Sequence, residues 1–263
     1  MLEPEELAGF LAAFGVAEPQ VRRDHLISHL LAALGALDLP VTFFGGTALA
    51  RTHLADPEAG ARLSEDIDLY GPDRPGVAAV LGDRLPRLLR REFPGSGWDP
   101  PLAAVRAVDA GQYVSGAGLR VRVQLLDSLG DHHDLANYPT EIRAVDLRYR
   151  DTPGTALLRV PTLASFAAMK TAAWIDRRAA RDLYDLAGLA RIGALTAEAA
   201  TLVRQVTGLS VTPRVLGPLP VLDWTVQLAH QTASLSSAQE CFEEVRTAYA
   251  TALRWPAEDP FAE

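Results

Sequence analysis

Two short stretches, Phe44-Gly45-Gly46-Thr47-Ala48-Leu49 and Ser64-Glu65-Asp66-Ile67-Asp68-Leu69, constrain this chain more than any other feature. In the first, a glycine pair closes an apolar strand and opens a helix, a turn that glycine makes without steric cost. The second reads as a short strand with two aspartates spaced i, i+2. A strand's period of 2 places both on one face, with Cα atoms roughly 6.6 Å apart. Both carboxylates can then converge on a divalent metal, opposite turn amides that suit anionic oxygens.

Each half of this pattern is weak by itself. Gly45-Gly46 fits an ordinary turn, and Asp66 with Asp68 fits the charge of an exposed edge strand. The order strand, Gly-Gly, helix, strand with Asp-x-Asp is more specific. It sets the turn amides beside the carboxylates across adjacent strands, the layout a metal–triphosphate needs for nucleotidyl transfer.

The 263 residues are 48% apolar, enough for one large domain or two small ones with a real core. No apolar run reaches the ~18 residues of a membrane span. The start, Met1-Leu2-Glu3-Pro4-Glu5-Glu6, has no basic n-region or apolar h-region of a signal peptide. Cys241 is the single cysteine, which excludes an internal disulfide and a cysteine-based zinc site. These features predict a soluble, cytoplasmic protein with no membrane partner.

A net charge of −8 argues against a broad surface coating nucleic acid, but it leaves room for local contacts. Arginines cluster at Arg84, Arg87, Arg90 and Arg91, at Arg120 and Arg122, and at Arg177, Arg178 and Arg181. Each cluster reads either as a solvated, ion-paired face or as a footprint for RNA. Of the 25 basic residues, 24 are arginine, and Lys170 is the lone lysine. A position that keeps lysine in such a chain calls for a compact ammonium instead of a planar fork.

Periodicity predicts helices at 3–14 and 19–36, a strand at 41–44, helix at 46–55 and a strand at 66–70. Helix is expected again at 76–93, with a break or kink at Gly82 and Pro86. Between Ala103 and Leu126 the pattern turns to period 2, predicting two strands joined near Ser115–Gly118, and short strands follow at 142–149 and 155–160. Beyond Pro161 the chain reads as helix: 162–177, 180–192, 196–208 and two longer elements past Pro220. The expected fold is α/β (α+β), with a lobe at 1–158 holding a short mixed sheet and an α-helical lobe at 159–263.

Lys170 falls on the first of those helices, and Arg181-Asp182-Leu183-Tyr184-Asp185-Leu186 on the second. Arg178/Asp182 and Arg181/Asp185 are spaced as i, i+4 ion pairs. Trp174 sits at a core position. His132-His133 with Asp131 and Asp134 reads as a solvated loop after Gly130.

Taken together, Gly-Gly-Thr-Ala-Leu, Ser-Glu-Asp-Ile-Asp-Leu, the helical lysine and the Arg-Asp-Leu-Tyr-Asp-Leu run resemble the AbiEii/MenT-like nucleotidyltransferase toxins of the DNA polymerase β-like superfamily. The resemblance covers roughly residues 41–190. It implies a bilobed enzyme that transfers a nucleoside monophosphate from an NTP, with Mg²⁺ or alternatively Mn²⁺, to RNA, above all the 3′ end of tRNA. It also implies an AbiEi-like antitoxin with a winged-helix domain as genetic partner. Position by position, Asp66 and Asp68 match the metal pair, Lys170 the helical lysine near the phosphates, and Asp185 the acidic residue completing the site. Gly45, Gly46, Thr47 and Ser64 match the nucleotide-binding loop and the start of the strand. Arg177, Arg178 and Arg181, which flank Lys170 and Asp185, are the expected RNA contacts.

One position departs from the pattern. The superfamily often carries a third carboxylate on a neighbouring strand, where this chain offers Gln124, an uncharged and poor metal ligand, with Asp127 just beyond. Two other readings therefore stay open: transfer to a small molecule or protein, and a degenerate module that binds nucleotide or a partner without catalysis.

Overall fold

The computed structural model describes residues 2–56, 62–63, 65–127, 135–232 and 235–255. Ser64 and the segment holding Asp131, His132, His133 and Asp134 lie outside the described residues.

Helices α1 (Pro4–Phe14) and α2 (Glu18–Leu37) lead into strand β1 (Thr42–Phe44), which passes directly into a six-residue helix, α3 (Gly45–Ala50). Then follow β2 (Asp66–Tyr70), α4 (Arg74–Leu89), β3 (Gly97–Trp98), β4 (Gly111–Val114), β5 (Arg120–Leu126), β6 (Thr140–Val145) and β7 (Ala156–Pro161). These seven strands form one mixed sheet in the order β3-β4-β5-β2-β1-β7-β6. Strand β2 lies at its centre, antiparallel to β1 and parallel to β5. The remaining helices are α5 (Leu163–Arg177), α6 (Ala180–Arg191), α7 (Ala197–Thr207), α8 (Pro213–Leu216), α9 (Trp224–Leu228) and α10 (Ala238–Leu253).

Alternation along β2 explains its place. Ile67 and Leu69 are buried, whereas Asp66 and Asp68 are half-buried on the opposite face. Leu26, Ile27, Leu30, Leu31 and Leu34 of α2 supply the apolar side of the core, where burying each such side chain is worth about 1.5–3 kcal/mol. That core continues without interruption into α5, α6, α7 and α10, where Trp174 is fully buried. The expected lobe junction after residue 158 falls inside β7, whose pairing with β6 runs on to Pro161.

Several expected elements differ. The helix predicted at 46–55 ends at Ala50 and passes into turns. Helix α4 stops at Leu89 but runs through Pro86 without ending there. The carbonyl that Pro86 leaves without an N–H partner belongs to Gly82, which is exposed, so water can satisfy it. Past Pro220 the chain forms one short helix, α9, and one long helix, α10, instead of two long ones. Among the described residues, no helix is long and apolar enough to cross a membrane.

Candidate active site

The site starts at the β1–α3 junction. Gly45 has φ +80°, and a Cβ there would collide with the carboxylate of Asp68, so only glycine lets the turn approach β2 this closely. Thr47, buried in α3, donates its hydroxyl to Asp66 Oδ1 at 3.3 Å. Its side chain thus steadies the carboxylate pair and does not line the cleft. Asp68 is pushed up to about 7, first by burial and next by the charge of Asp66, against the opposing pull of Lys170 and Arg122. The nearby cations therefore do not offset burial and the Asp66 charge at Asp68, the condition under which hard oxygen donors take up a divalent cation.

Lys170 lies across from them on α5, buried, with Nζ 2.6 Å from Asp185 Oδ2 and 3.2 Å from Asp182 Oδ1. Burial alone would lower its pKa, but Asp185 and Asp182 outweigh burial and raise it, so the amine stays an ammonium. Asp185 is held from the other side by Arg62, which donates Nε to Oδ1 at 3.0 Å and Nη2 to Oδ2 at 3.2 Å. Although burial opposes ionisation, Arg62 and Lys170 hold the Asp185 carboxyl at about 2. Arg62 also donates Nη1 to Gln231 Oε1 at 2.6 Å, and its guanidinium fills the space where a Cβ on Gly46 would stand. Asp182, fully buried, accepts two bonds from Arg177 at 2.7 and 2.9 Å.

The ion pairs expected within one helix do not form. Asp182 pairs with Lys170 and Arg177, not Arg178, and Asp185 pairs with Lys170 and Arg62, not Arg181. Both aspartates face the buried side of α6, where Lys170 and Arg62 from other elements are desolvated and bind more strongly than a solvent-facing neighbour. Arg62 and Gln231 were invisible to sequence reasoning because Arg62 reaches Asp185 and Gln231 across 123 and 169 positions, a distance no periodicity reports. Glu65 sits inside a recognised motif, yet its work emerges only here: it accepts from Gln231 at 2.8 Å and from Arg181 at 3.1 Å.

A cavity of about 420 Å³ gathers Gly46, Arg62, Asp66, Asp68, Lys170, Arg177, Arg181 and Asp182. An adjoining cavity of about 400 Å³ shares Gly46, Asp68, Gln124 and Lys170, then turns apolar along Phe44, Val108, Leu126, Phe166 and Met169. Gln124 stands beside Asp68 in the β2–β5 register and donates its amide to the Val108 carbonyl at 2.8 Å.

The three arginines expected to bind RNA do not form one patch. Arg177 and Arg181 line the polar cavity, held by Asp182 and Glu65. Arg178 lies elsewhere, bonded to the Leu216 carbonyl and to that of Val215 at 2.8 Å, with its guanidinium 5.1 Å from the Trp174 ring centre.

Comparison with known proteins agrees with this architecture. The sequence profile described as "Nucleotidyl transferase AbiEii toxin, Type IV TA system" matches residues 29–249. The solved structure of MenT4, a nucleotidyltransferase toxin from Mycobacterium tuberculosis, superposes with a TM-score of 0.63 at 20% identity, covering 92% of this chain and 86% of its own. JHP933 from Helicobacter pylori superposes with a TM-score of 0.51 at 14% identity, covering 91% and 95%. No curated protein matches by sequence.

Proposed function

We propose, from the premise that this chain belongs to the AbiEii family of nucleotidyl transferase toxins, that it transfers a nucleoside monophosphate from an NTP to RNA, at the 3′ end of tRNA. The observation that carries this reading is one cleft with an under-neutralised aspartate pair on one wall and a buried ammonium on the other.

Asp66 and Asp68 would hold the divalent ion. Two hard carboxylates on one strand face, with Asp68 raised in proton affinity by burial and by the charge of Asp66, suit Mg²⁺, with Mn²⁺ as the alternative. When bound, such an ion supplies Lewis-acid polarisation of phosphoryl oxygens.

The chain's own residues supply the rest. An ammonium has three donors, and Asp182 and Asp185 take two at Lys170, leaving one for a phosphate oxygen of the departing pyrophosphate. Arg62, Arg177, Asp182 and Asp185 are positioning residues that lock this donor in place. The first-turn amides at Gly45 and Gly46 have no partner within α3 and are suited to the triphosphate. The apolar cavity beside Phe44, Phe166 and Met169 fits a nucleobase, and the polar one the phosphates. A carboxylate of the aspartate pair takes the proton of the attacking hydroxyl, and positioning with charge stabilisation does the remaining work. Arg177 and Arg181 at the polar cavity are the RNA contacts this reading favours. An AbiEi-like winged-helix protein is the expected antitoxin.

The test is incubation of the protein with each α-labelled NTP, total RNA and Mg²⁺. Label should appear at RNA 3′ ends and disappear with Asp68→Asn. Transfer only to a small molecule or a protein would overturn the choice of acceptor, and no transfer at all would overturn catalysis.

A further inference from the structure

A second cluster of ligand-type side chains lies away from the cleft, and none of its members lines either cavity. His25 and His29 stand four residues apart on one face of α2, both buried, with Nε2 atoms 3.2 Å from each other. Asp151, in the connection between β6 and β7, brings Oδ1 to 2.9 Å from His25 Nε2 and 3.5 Å from His29 Nε2. A tetrahedral ion with bonds of about 2.0–2.2 Å keeps its ligand atoms roughly 3.3 Å apart. The three edges here, 2.9, 3.2 and 3.5 Å, bracket that spacing.

Hydrogen bonding alone serves the two imidazole nitrogens poorly. A carboxylate only accepts, and each imidazole nitrogen either donates or accepts. His25 Nε2 faces Asp151 and His29 Nε2 at once. One hydrogen on His25 is split between the two, or two N–H groups confront each other, or His29 donates to His25 and leaves the His25 lone pair against the carboxylate; a cation satisfies the electron pairs together. Phe93 packs against both rings at 5.6 and 5.2 Å, and Tyr149 against His25 at 4.9 Å. These walls hold the imidazoles in orientation, while the Asp151 side chain, 18% exposed, leaves a path from solvent.

We propose that His25, His29 and Asp151 form a site for a borderline transition-metal ion, Zn²⁺ by preference, with water in the fourth position. Two imidazoles and one carboxylate select zinc-type ions over the magnesium-type ions that suit Asp66 and Asp68. The ion would clip α2 to the β6–β7 connection, independently of whether the cleft is catalytic.

The test loads the full-length protein with Zn²⁺, dialyses it against metal-free buffer and measures bound zinc by atomic absorption. About one zinc per chain should remain in the unmodified protein and in an Asp66→Asn/Asp68→Asn variant. His29→Gln and Asp151→Asn should each weaken retention at least about tenfold. Because either substitution could disturb folding, Co²⁺ is added to the unmodified protein as well. It should give the intense visible absorption of tetrahedral cobalt, which Zn²⁺ then abolishes. Absence of that absorption, or zinc retention by His29→Gln and Asp151→Asn equal to that of the unmodified protein, overturns the site.

Discussion

Two networks of buried charge run through this chain, and they are built to opposite ends. In the first, Asp24 and Arg51 are fully buried and meet at 2.9 Å. Arg51 also donates to Ser28 Oγ and the Asp146 carbonyl, both at 2.9 Å, while Arg148 and Tyr149 close on Asp24 from the other side. None of these residues lines the cleft. In the second, Lys170, Asp182, Arg62 and Arg177 form the cleft wall, with Asp185 bonded to Lys170 and Arg62 behind it. The closed network spends its charge on backbone: Arg148 donates to the carbonyls of Ala50, at the end of α3, and of Arg62. It thereby fixes the helix that carries Gly45 and Gly46 and the segment that carries Arg62. Burial of charge alone does not set the proposed site apart; burial with one side open to a cavity does.

The largest expected effect breaks the closed network. Burial pulls Arg51 down to about 10 even with Asp24 beside it, so removing Asp24 takes its carboxylate from a buried guanidinium, and removing Arg51 leaves buried Asp24 to Arg148 and Tyr149. Asp24→Ala or Arg51→Met should cost about 3–5 kcal/mol and collapse the urea midpoint. A variant that loses less than about 1 kcal/mol would show that the network is not what holds α3.

The open network should respond in activity instead. Asp68→Asn removes a carboxylate that burial and Asp66 already disfavour, so the melting temperature should hold or rise while transfer falls by about 10²–10³-fold. Equal losses in stability and activity would erase the distinction between the two networks. Lys170→Arg should be nearly as damaging as Lys170→Ala, within about tenfold of it. The pocket between Asp182 and Asp185 admits a compact ammonium at 3.2 and 2.6 Å, and a planar guanidinium does not match it. Wild-type turnover in Lys170→Arg would sink this claim.

Acid gives a smaller and signed test. Asp185 has a folded pKa of about 2 against the ordinary 3.8, so its stabilisation is present above roughly pH 4 and is lost as pH falls toward 2. Between pH 5 and 2 the wild type should lose on the order of 2 kcal/mol more than Asp185→Asn. Parallel pH–stability curves would mean the Arg62 and Lys170 contacts contribute nothing.

What could be read from sequence divides along the same line. The β1–Gly-Gly–β2 core and the shared face of Asp66 and Asp68 were legible because turn chemistry and a period of 2 are local. Lys170 stood out by composition. Arg62, Gln231, Asp24, Arg51 and Arg148 were not legible, since their partners come from distant elements and one arginine among 24 carries no signal. The reading of α6 went wrong where local spacing competed with tertiary burial, and burial won. Past Pro220 only the second expected long helix formed, α10 from the Ser237–Glu240 capping box, while the first shrank to the five-residue α9.

The smallest effect separates arginines that look alike in sequence. Arg181 lines the cleft and is half-exposed, paired with Glu65 at 3.1 Å, whereas Arg178 spends its donors on the carbonyls of Val215 and Leu216. A net charge of −8 repels RNA over most of the surface, so binding has to be focused and salt-sensitive. Each phosphate contact on a single strand contributes roughly −0.7 to the log–log salt slope. Arg181→Ala should therefore flatten the slope by about 0.7, while Arg178→Ala leaves it unchanged and lowers only the melting temperature. Arg177 is the poorer probe, because its loss also frees Asp182 and disturbs Lys170. RNA binding measured across a salt series decides it. A slope that moves with Arg178 and not Arg181 would place the RNA path on the helical face beside α8 instead of at the cleft.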